Sequence, residues 1–181
     1  MTGKIHDTDY LFLTTRVRAL EGCLLNRGQM EQMLEAGSPE EAARILTDCG
    51  YPELETVSAI TVGEMLTRER ERLFQDLAEL VPDPAILAVF QLPHDYHNVK
   101  VLLKSEAMGI QEDRLLVDAG RIPSKQLAAA LRSGEVQSLP PQLGEAIDEA
   151  RQVLSATRDP QLGDMVLDRR YFQELLVLAE E

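Results

Sequence analysis

Apolar residues recur at three- and four-residue steps along almost the whole chain, and Pro or Gly interrupts this spacing at intervals. The step is clearest in residues 8–25, which carry Leu11, Leu13, Val17, Leu20, Leu24 and Leu25. A three-to-four-residue step is the period of one face of an α-helix, whereas a half-buried strand requires strict alternation, and no segment shows it. The sequence therefore predicts an all-α fold.

The interruptions divide the chain into a multi-helix bundle of about seven to eight helices. After residues 8–25, we predict helices over residues 29–36, 38–49, 61–81, 83–109, 123–134, 141–158 and 159–181. Capping boxes are expected at Ser38–Glu41 and Thr61–Glu64, where a hydroxyl precedes a glutamate by three residues. Pro93 lies inside a helical pattern, which predicts a kink or a short break near Leu92.

Charge and hydropathy exclude several classes of partner. The 31 acidic and 18 basic residues give a formal net charge of −13, which repels nucleic acid and anionic lipid. The longest uninterrupted apolar run, AILAVF at 85–90, is far too short to cross a bilayer. The first residues show no secretory signal, and Cys23 and Cys49 are expected to be reduced thiols in a cytoplasmic protein.

The stretch HDYHNVKVLLK, residues 94–104, holds two of the three histidines and is the strongest candidate for a reactive site. His94 and His97 lie on one face of a helix, but a zinc site needs a third ligand, and the metalloprotease pattern HExxH is absent. The chain also lacks the GxSxG and phosphate-loop motifs. We therefore predict no catalytic residue, no cofactor and no metal.

A helical projection of the same stretch gives a structural interpretation. Tyr96, Val99 and Leu103 fall on one apolar stripe and are expected in the core. Asp95 and Asn98 are three residues apart, and buried polar side chains of this kind need hydrogen-bond partners. We predict that these two residues form a structural polar lock between helices.

The order of the motifs resembles one family. An early helix YLFLTTRVRALEGCLLNRGQMEQMLEA is followed by SPEEAARIL, a long charged helix, DYHNVKVLLKSEAMG and finally LDRRYFQELLVLAEE. From about residue 10 to the end, this series is similar to the C subunit of prokaryotic V-type (A-type) ATPases, the counterpart of the eukaryotic d subunit. Asp95 and Asn98 occupy the Asp-x-x-Asn positions of that family.

The resemblance implies three similar helical lobes arranged as a funnel. Residues 1–109 would form the first lobe, which ends in the Asp-x-x-Asn helix, and residues 110–181 would begin a truncated second lobe. The YFQELL segment would start the repeat, but no second Asp-x-x-Asn block follows it. The leucines of the last helix (Leu175, Leu176 and Leu178) would then be exposed and need a new partner, such as an oligomer through that helix.

The resemblance also implies a mechanical function. The chain would be a non-catalytic central-rotor linker that joins the soluble central-stalk subunits to the membrane proteolipid ring, at the cytoplasmic face of the membrane and without inserting into it. Arg16, Arg18 and Lys100 are the candidates for a polar network or a partner contact. The alternative from the residues alone is a generic all-helical protein-interaction adaptor.

Overall fold

The computed structural model describes residues 6–180, and over this range it contains α-helices and short 3-10 helices but no β-strand. The α-helices of this range are α1 (Leu11–Glu21), α2 (Arg27–Glu35), α3 (Pro39–Asp48), α4 (Ala59–Ala78), α5 (Pro84–Met108), α6 (Ser124–Ser133), α7 (Pro141–Thr157) and α8 (Pro160–Glu180). The prediction of an all-α fold with about seven to eight helices is confirmed. The expectation about a secretory signal falls partly on residues 1–5, which lie outside the described range.

The first helix is shorter than its apolar spacing predicts. A 3-10 helix covers Asp7–Tyr10, and α1 ends at Glu21 rather than near residue 25. Asn26 caps the next helix: its side-chain oxygen accepts a hydrogen bond from the Gln29 amide at 3.0 Å, and the Gln29 side chain accepts one from the Asn26 amide at 2.9 Å. This reciprocal cap requires extended backbone at Asn26, so α1 must end before it.

The expected cap of α3 is present in part. The Ser38 hydroxyl accepts a hydrogen bond from the Glu41 amide at 3.2 Å, as predicted. The Glu41 carboxylate, however, accepts from the amide of Gly37 at 2.8 Å rather than from that of Ser38. The N-terminus of the helix is capped, but the side chain reaches one residue further back than in a capping box.

The predicted box at Thr61 and Glu64 is wrong. The N-cap of α4 is Ser58, whose hydroxyl accepts from the Thr61 amide at 3.1 Å, while Thr61 Oγ1 accepts from the Ser58 amide at 2.9 Å. Thr61 is therefore the third residue of the helix. Ser58, three residues earlier in the chain, accepts a hydrogen bond from a first-turn amide, so the helix begins before Thr61 and Thr61 is not its N-cap.

Helix α5 continues through Pro93, so the short break predicted near Leu92 is absent, whereas a kink at this position stays a prediction. Proline removes one amide donor from the helix interior, which weakens a helix but does not have to end it. Leu92 and Val99, on either side of this position, are both completely buried. Packing on both sides therefore holds the helix together across the missing hydrogen bond.

The chain divides into two compact units, one ending at Pro82 and the other beginning at Asp83. Helix α5 packs against α6, α7 and α8, so it belongs with the helices that follow it. The lobes expected from the family resemblance divide the chain elsewhere, between residues 109 and 110. Because a lobe is defined by its repeat and not by contacts, that boundary stays a prediction.

The second unit contains a continuous apolar core. Its completely buried members include Leu92, Val99, Leu127, Leu143, Ala146, Ile147 and Ala150, and Tyr96 and Leu103 are each 3% exposed. The predicted core positions of α5 are therefore confirmed. Gly163 lets α8 approach α7 closely, because a Cβ at this position would lie 2.9 Å from Leu154 Cδ2.

The leucines of the last helix do not share one environment. Leu175 and Leu178 are partly buried and pack against the core, whereas Leu176 is 62% exposed. The expectation that all three would be exposed is wrong for Leu175 and Leu178, because α8 turns that side toward α5 and α7. Across residues 6–180, no helix has the length and apolar character needed to span a membrane.

The core assignment predicts a large difference between two leucines of the second unit. Replacing the completely buried Leu143 with Ala should lower the free energy of unfolding by about 2–5 kcal/mol, because it removes packed atoms and leaves a cavity. The matched control, Leu176→Ala, should change it by at most about 0.5 kcal/mol. Urea titration followed by circular dichroism measures both, and equal losses would contradict this core.

A buried network between two helices as the candidate functional site

Asp95 of α5 is completely buried and binds two groups of the segment that precedes α6. Its Oδ2 accepts a hydrogen bond from Arg121 Nε at 2.7 Å, and its Oδ1 accepts one from the Ile122 amide at 3.2 Å. A buried carboxylate is tolerated only when a countercharge and hydrogen bonds replace its water. Asp95 has both, and it thereby fixes this segment against α5.

Gly120 makes the close approach to Asp95 sterically feasible. A Cβ at this position would lie 2.1 Å from Asp95 Oδ1 and 3.3 Å from the Asp95 amide nitrogen. Real side chains do not approach a polar atom so closely, so the segment could not lie here with any other residue. Gly120 is thus part of the site through the absence of its side chain.

The network extends from Arg121 to the last helix. Arg121 Nη1 donates to Glu174 Oε1 at 2.7 Å, and the other oxygen of Glu174 accepts from the Tyr96 hydroxyl at 2.9 Å. Because Tyr96 neighbours Asp95 on α5, the four side chains connect α5, the segment before α6 and α8. A single arginine therefore links the acids of two helices.

Burial and these contacts shift the pKa values of the network residues, and only for Arg121 do the contacts outweigh burial in favour of the charged form. Burial raises the pKa of Asp95, and the hydrogen bond and charge of Arg121 only partly oppose this effect. Burial by itself would lower the pKa of Arg121, but its hydrogen bonds to Asp95 and Glu174 raise it, so the guanidinium stays charged. Burial, followed by the negative charge of Glu174, raises the pKa of Tyr96 well above its usual range.

The T-shaped contact of Tyr96 with Tyr171 closes the apolar side of the network. The two ring centroids lie 5.7 Å apart with planes at 66°. Edge-to-face contacts of this kind stabilise a pair of rings beyond the effect of burying their surface. Tyr96 thus contacts Tyr171 with its ring and Glu174 with its hydroxyl, and the Glu174 side chain is only 6% exposed.

Asn98 binds a second segment of the same connection. Its Nδ2 donates to the Val117 carbonyl at 2.8 Å, and its Oδ1 accepts from the Val117 amide at 2.8 Å. Two residues earlier in this segment, the Leu115 carbonyl lies 3.0 Å from His97 Nε2. Asn98 thus satisfies both backbone groups of one residue, as a neighbouring β-strand would.

The lysines of α5 form ion pairs with α8 at the surface. Lys100 Nζ lies 2.5 Å from Asp168 Oδ1, and Lys104 Nζ lies 2.6 Å from Asp164 Oδ2. The side chain of Asp168 is 54% exposed, so water screens this pair, and exposed pairs contribute about 0–1 kcal/mol. Lys100, named as a candidate from the sequence, therefore contacts α8; its role toward a partner stays a prediction.

Arg16 and Arg18 belong to the first unit and form exposed ion pairs there. Arg16 lies 3.5 Å from Asp76, and Arg18 lies 2.7 Å from Glu21. Both arginine side chains are well exposed, at 43% and 75%. These contacts are those of ordinary surface charges, and the suggestion that either arginine contacts a partner also stays a prediction.

Sequence reasoning identified Asp95 and Asn98 but not their partners. Arg121 lies in the connection AGRIP, where nothing in the sequence distinguishes it from a solvated arginine. For Glu174 a helical projection offered a signal, because it follows Leu167 by seven residues and therefore shares one side of the predicted helix with an apolar residue. An acid on a core-facing side predicts a buried countercharge.

The arrangement is suited to holding helices together rather than to converting a substrate. The carboxylates, the phenol and the guanidinium of the network bind one another and are largely withdrawn from solvent. Among the residues that the structure describes, no three His, Cys, Asp or Glu side chains are grouped in a way suited to holding a metal. Cys23 and Cys49 are free thiols.

Comparison with known proteins identifies a family. The profile of the family described as ATP synthase (C/AC39) subunit matches residues 13–181. The C subunit of the V-type sodium ATPase of Enterococcus hirae is 28% identical over 174 residues, which cover 96% of this chain and 53% of that protein. The C subunit of the A-type ATP synthase of Methanocaldococcus jannaschii is 26% identical over 129 residues, which cover 65% of this chain and 32% of that protein.

The two relatives are matched over different fractions of their own length. The chain spans about half the length of the first relative and about a third of the second in the matched regions. No solved structure matches it. The family match includes most of α1 and all of α2 to α8 over the described residues, and therefore the whole Asp95 network.

The network predicts a large effect of removing Asp95. Asp95→Ala should lower the free energy of unfolding by about 3–5 kcal/mol, because it leaves a buried arginine with an incomplete set of partners. The control Asp168→Ala removes an exposed acid of the same unit and should cost at most about 1 kcal/mol. Thermal and urea unfolding of the two variants measure the difference, and an unchanged melting temperature for Asp95→Ala would rule out a stabilising role.

The raised pKa of Tyr96 predicts a loss of stability in alkali. In the unfolded chain a tyrosine ionises near about pH 10, but in the fold Tyr96 keeps its proton to higher pH. The stability that depends on this proton is complete below about pH 10 and decreases as the pH rises above it.

Tyr96→Phe should therefore reduce the dependence of unfolding free energy on pH between about 9 and 11. Leu176→Ala, which removes an exposed side chain of the same unit and no ionisable group, is the control and should keep the wild-type dependence. Urea titrations across this pH range provide the measurement. Parallel curves for the wild type and Tyr96→Phe would show that the Tyr96 proton does not contribute.

Proposed function

The chain belongs to the ATP synthase (C/AC39) subunit family, and on that premise we propose that it is a non-catalytic linker in the central rotor of a rotary ATPase. The observation that carries the proposal is the family match over residues 13–181. The two relatives support it, since their names assign one to a V-type sodium ATPase and the other to an A-type ATP synthase, each as the C subunit.

The construction of the second unit fits a mechanical role. A body that passes torque must resist shear between its helices, and densely packed interiors are stiff. Helix α5 is joined to α8 by the apolar core, by the buried Arg121 network and by the ion pairs of Lys100 and Lys104. These links lie at different depths, so sliding of one helix along the other would break several of them together.

We place the linker at the cytoplasmic face of the membrane, between the soluble central stalk and the proteolipid ring. The formal charge of −13 opposes adsorption to anionic lipid, so attachment would have to come from protein partners. No nucleotide or metal is required for this role. The linker would turn with the rotor and transmit torque between ATP chemistry and ion movement in other subunits.

Purification from the source cell tests the proposal. An affinity tag would be placed on the chromosomal gene, membranes would be solubilised in mild detergent, and the retained proteins would be identified by mass spectrometry. We expect the catalytic, central-stalk and proteolipid subunits of a rotary ATPase in stoichiometric amounts. The tag on an unrelated acidic cytoplasmic protein is the control for non-specific capture.

A second measurement tests whether ion pumping requires this protein or whether the protein is only bound to the complex. Membrane vesicles from cells that lack the gene should not pump ions when ATP is supplied, and the wild-type gene should restore pumping. Retention of no ATPase component, with the ATPase detectable in the starting membranes, would contradict the proposal. Recovery of one unrelated protein in its place would favour the adaptor alternative.

A further inference from the structure

The first unit contains a groove bounded by the end of α1, the end of α3 and the middle of α4, with a volume of about 310 Å³. We call it the Arg70 groove, because that arginine lines it. Its apolar walls are formed by Leu20, Leu24, Tyr51, Leu66 and Leu73, and both cysteines of the chain also line it. Binding sites for small molecules are mostly apolar clefts of about 300–1,000 Å³, so this groove lies at the lower end of that range.

Four charged residues line the Arg70 groove, and the two acids among them are already paired. Glu69 Oε2 lies 3.3 Å from Arg72 Nη2. Asp76 Oδ2 lies 3.5 Å from Arg16 Nη2. Arg70, by contrast, forms no ion pair or hydrogen bond with the residues that the structure describes. Within that part of the chain, the groove therefore has a positive charge without a counterion.

The guanidinium of Arg70 is partly withdrawn from water. Its Nε is buried and has no hydrogen-bond acceptor among the described residues. A buried donor without an acceptor is unfavourable, and more so when the group is charged. Since Arg70 as a whole is partly exposed and lines the groove, a ligand bound there can contact the guanidinium and neutralise it.

A carboxylate is the ligand group that this arginine fits. The two oxygens of a carboxylate match the planar fork of a guanidinium and accept two parallel hydrogen bonds from it. The formal charge of −13 opposes an anion at long range, but physiological salt screens charges beyond about 8 Å. Because the acids of the groove wall are paired, the short-range contact with Arg70 favours a negative group.

The volume of the groove limits the size of the ligand. A water molecule occupies about 30 Å³ in the liquid, so 310 Å³ accommodates on the order of ten non-hydrogen atoms. We propose that the Arg70 groove binds a small organic carboxylate, whose charged end pairs with Arg70 and whose apolar body lies against the leucines. This inference does not depend on the rotor-linker proposal, because it rests on residues of the first unit alone.

Three probes with the same apolar body test the proposal. They are 3-phenylpropionate, 3-phenylpropanol and 3-phenylpropylamine, whose polar ends are negative, neutral and positive. Because Cys23 and Cys49 are the two cysteines of the chain and both line the groove, a bound probe should slow their alkylation by the neutral reagent iodoacetamide. Peptide mass spectrometry of the 181-residue protein measures the rates. We expect the carboxylate to protect Cys49 at a concentration at least tenfold lower than either other probe.

Matched variants locate the charge that selects the probe. Arg70→Met keeps the aliphatic length of the side chain and removes the guanidinium, so the preference for the carboxylate over the alcohol should fall below twofold. The control, Arg68→Met, makes the same change of net charge on the same helix, at a side chain that is 76% exposed and outside the groove lining. It should keep the wild-type preference. Circular dichroism confirms that each variant is folded.

Three outcomes would overturn the proposal. If none of the probes protects the cysteines, the groove does not bind a ligand of this size. Equal protection by all three probes would mean that the charge of Arg70 selects nothing. A wild-type preference in folded Arg70→Met would place the carboxylate at another residue. The comparison of the three probes uses the wild-type protein, so it decides the proposal even if Arg70→Met does not fold.

Discussion

The interaction on which the second unit depends is the bond of one arginine to two buried acids. Arg121 lies in a short connection, yet it binds Asp95 of α5 and Glu174 of α8 at 2.7 Å each. A buried charge without a partner is strongly unfavourable, so neither helix can move away without exposing or isolating a carboxylate. The position of α5 relative to α8 is therefore determined by electrostatics as well as by apolar packing.

Apolar packing alone would define the register of α5 against α8 less precisely than the hydrogen bonds of the buried network do. Leucine and alanine side chains fit a facing helix in several registers of similar energy, whereas hydrogen bonds are lost when their atoms move by about 1 Å. Asp95 and Asn98 each bind backbone groups as well, at Ile122 and Val117, so they also fix the connection that carries Arg121. For the torque-transmitting linker that we propose, a single register of these helices would be the useful property, and the buried network gives a physical reason for one.

The two sides of α8 differ in their exposure to solvent. Glu174 and Leu167 face inward, and the same helix turns Phe172 and Leu176 to solvent. In the first unit, by comparison, Leu46 and Met65 are the buried apolar side chains of the described residues, and many apolar residues remain exposed. The two units therefore differ in how much of their apolar side-chain surface is buried.

The sequence by itself determined the all-α class, most of the helices and the cap at Ser38, and it placed Asp95 and Asn98 three residues apart on one helix, since these follow from spacings within one helix. It did not determine the continuity of α5 through Pro93, because packing from other helices compensates for the lost hydrogen bond. Nor did it identify Arg121 and Glu174 as partners, which lie 53 residues apart in the chain. Local patterns report which side of a helix is buried, but only the packing of distant helices decides which charges meet there.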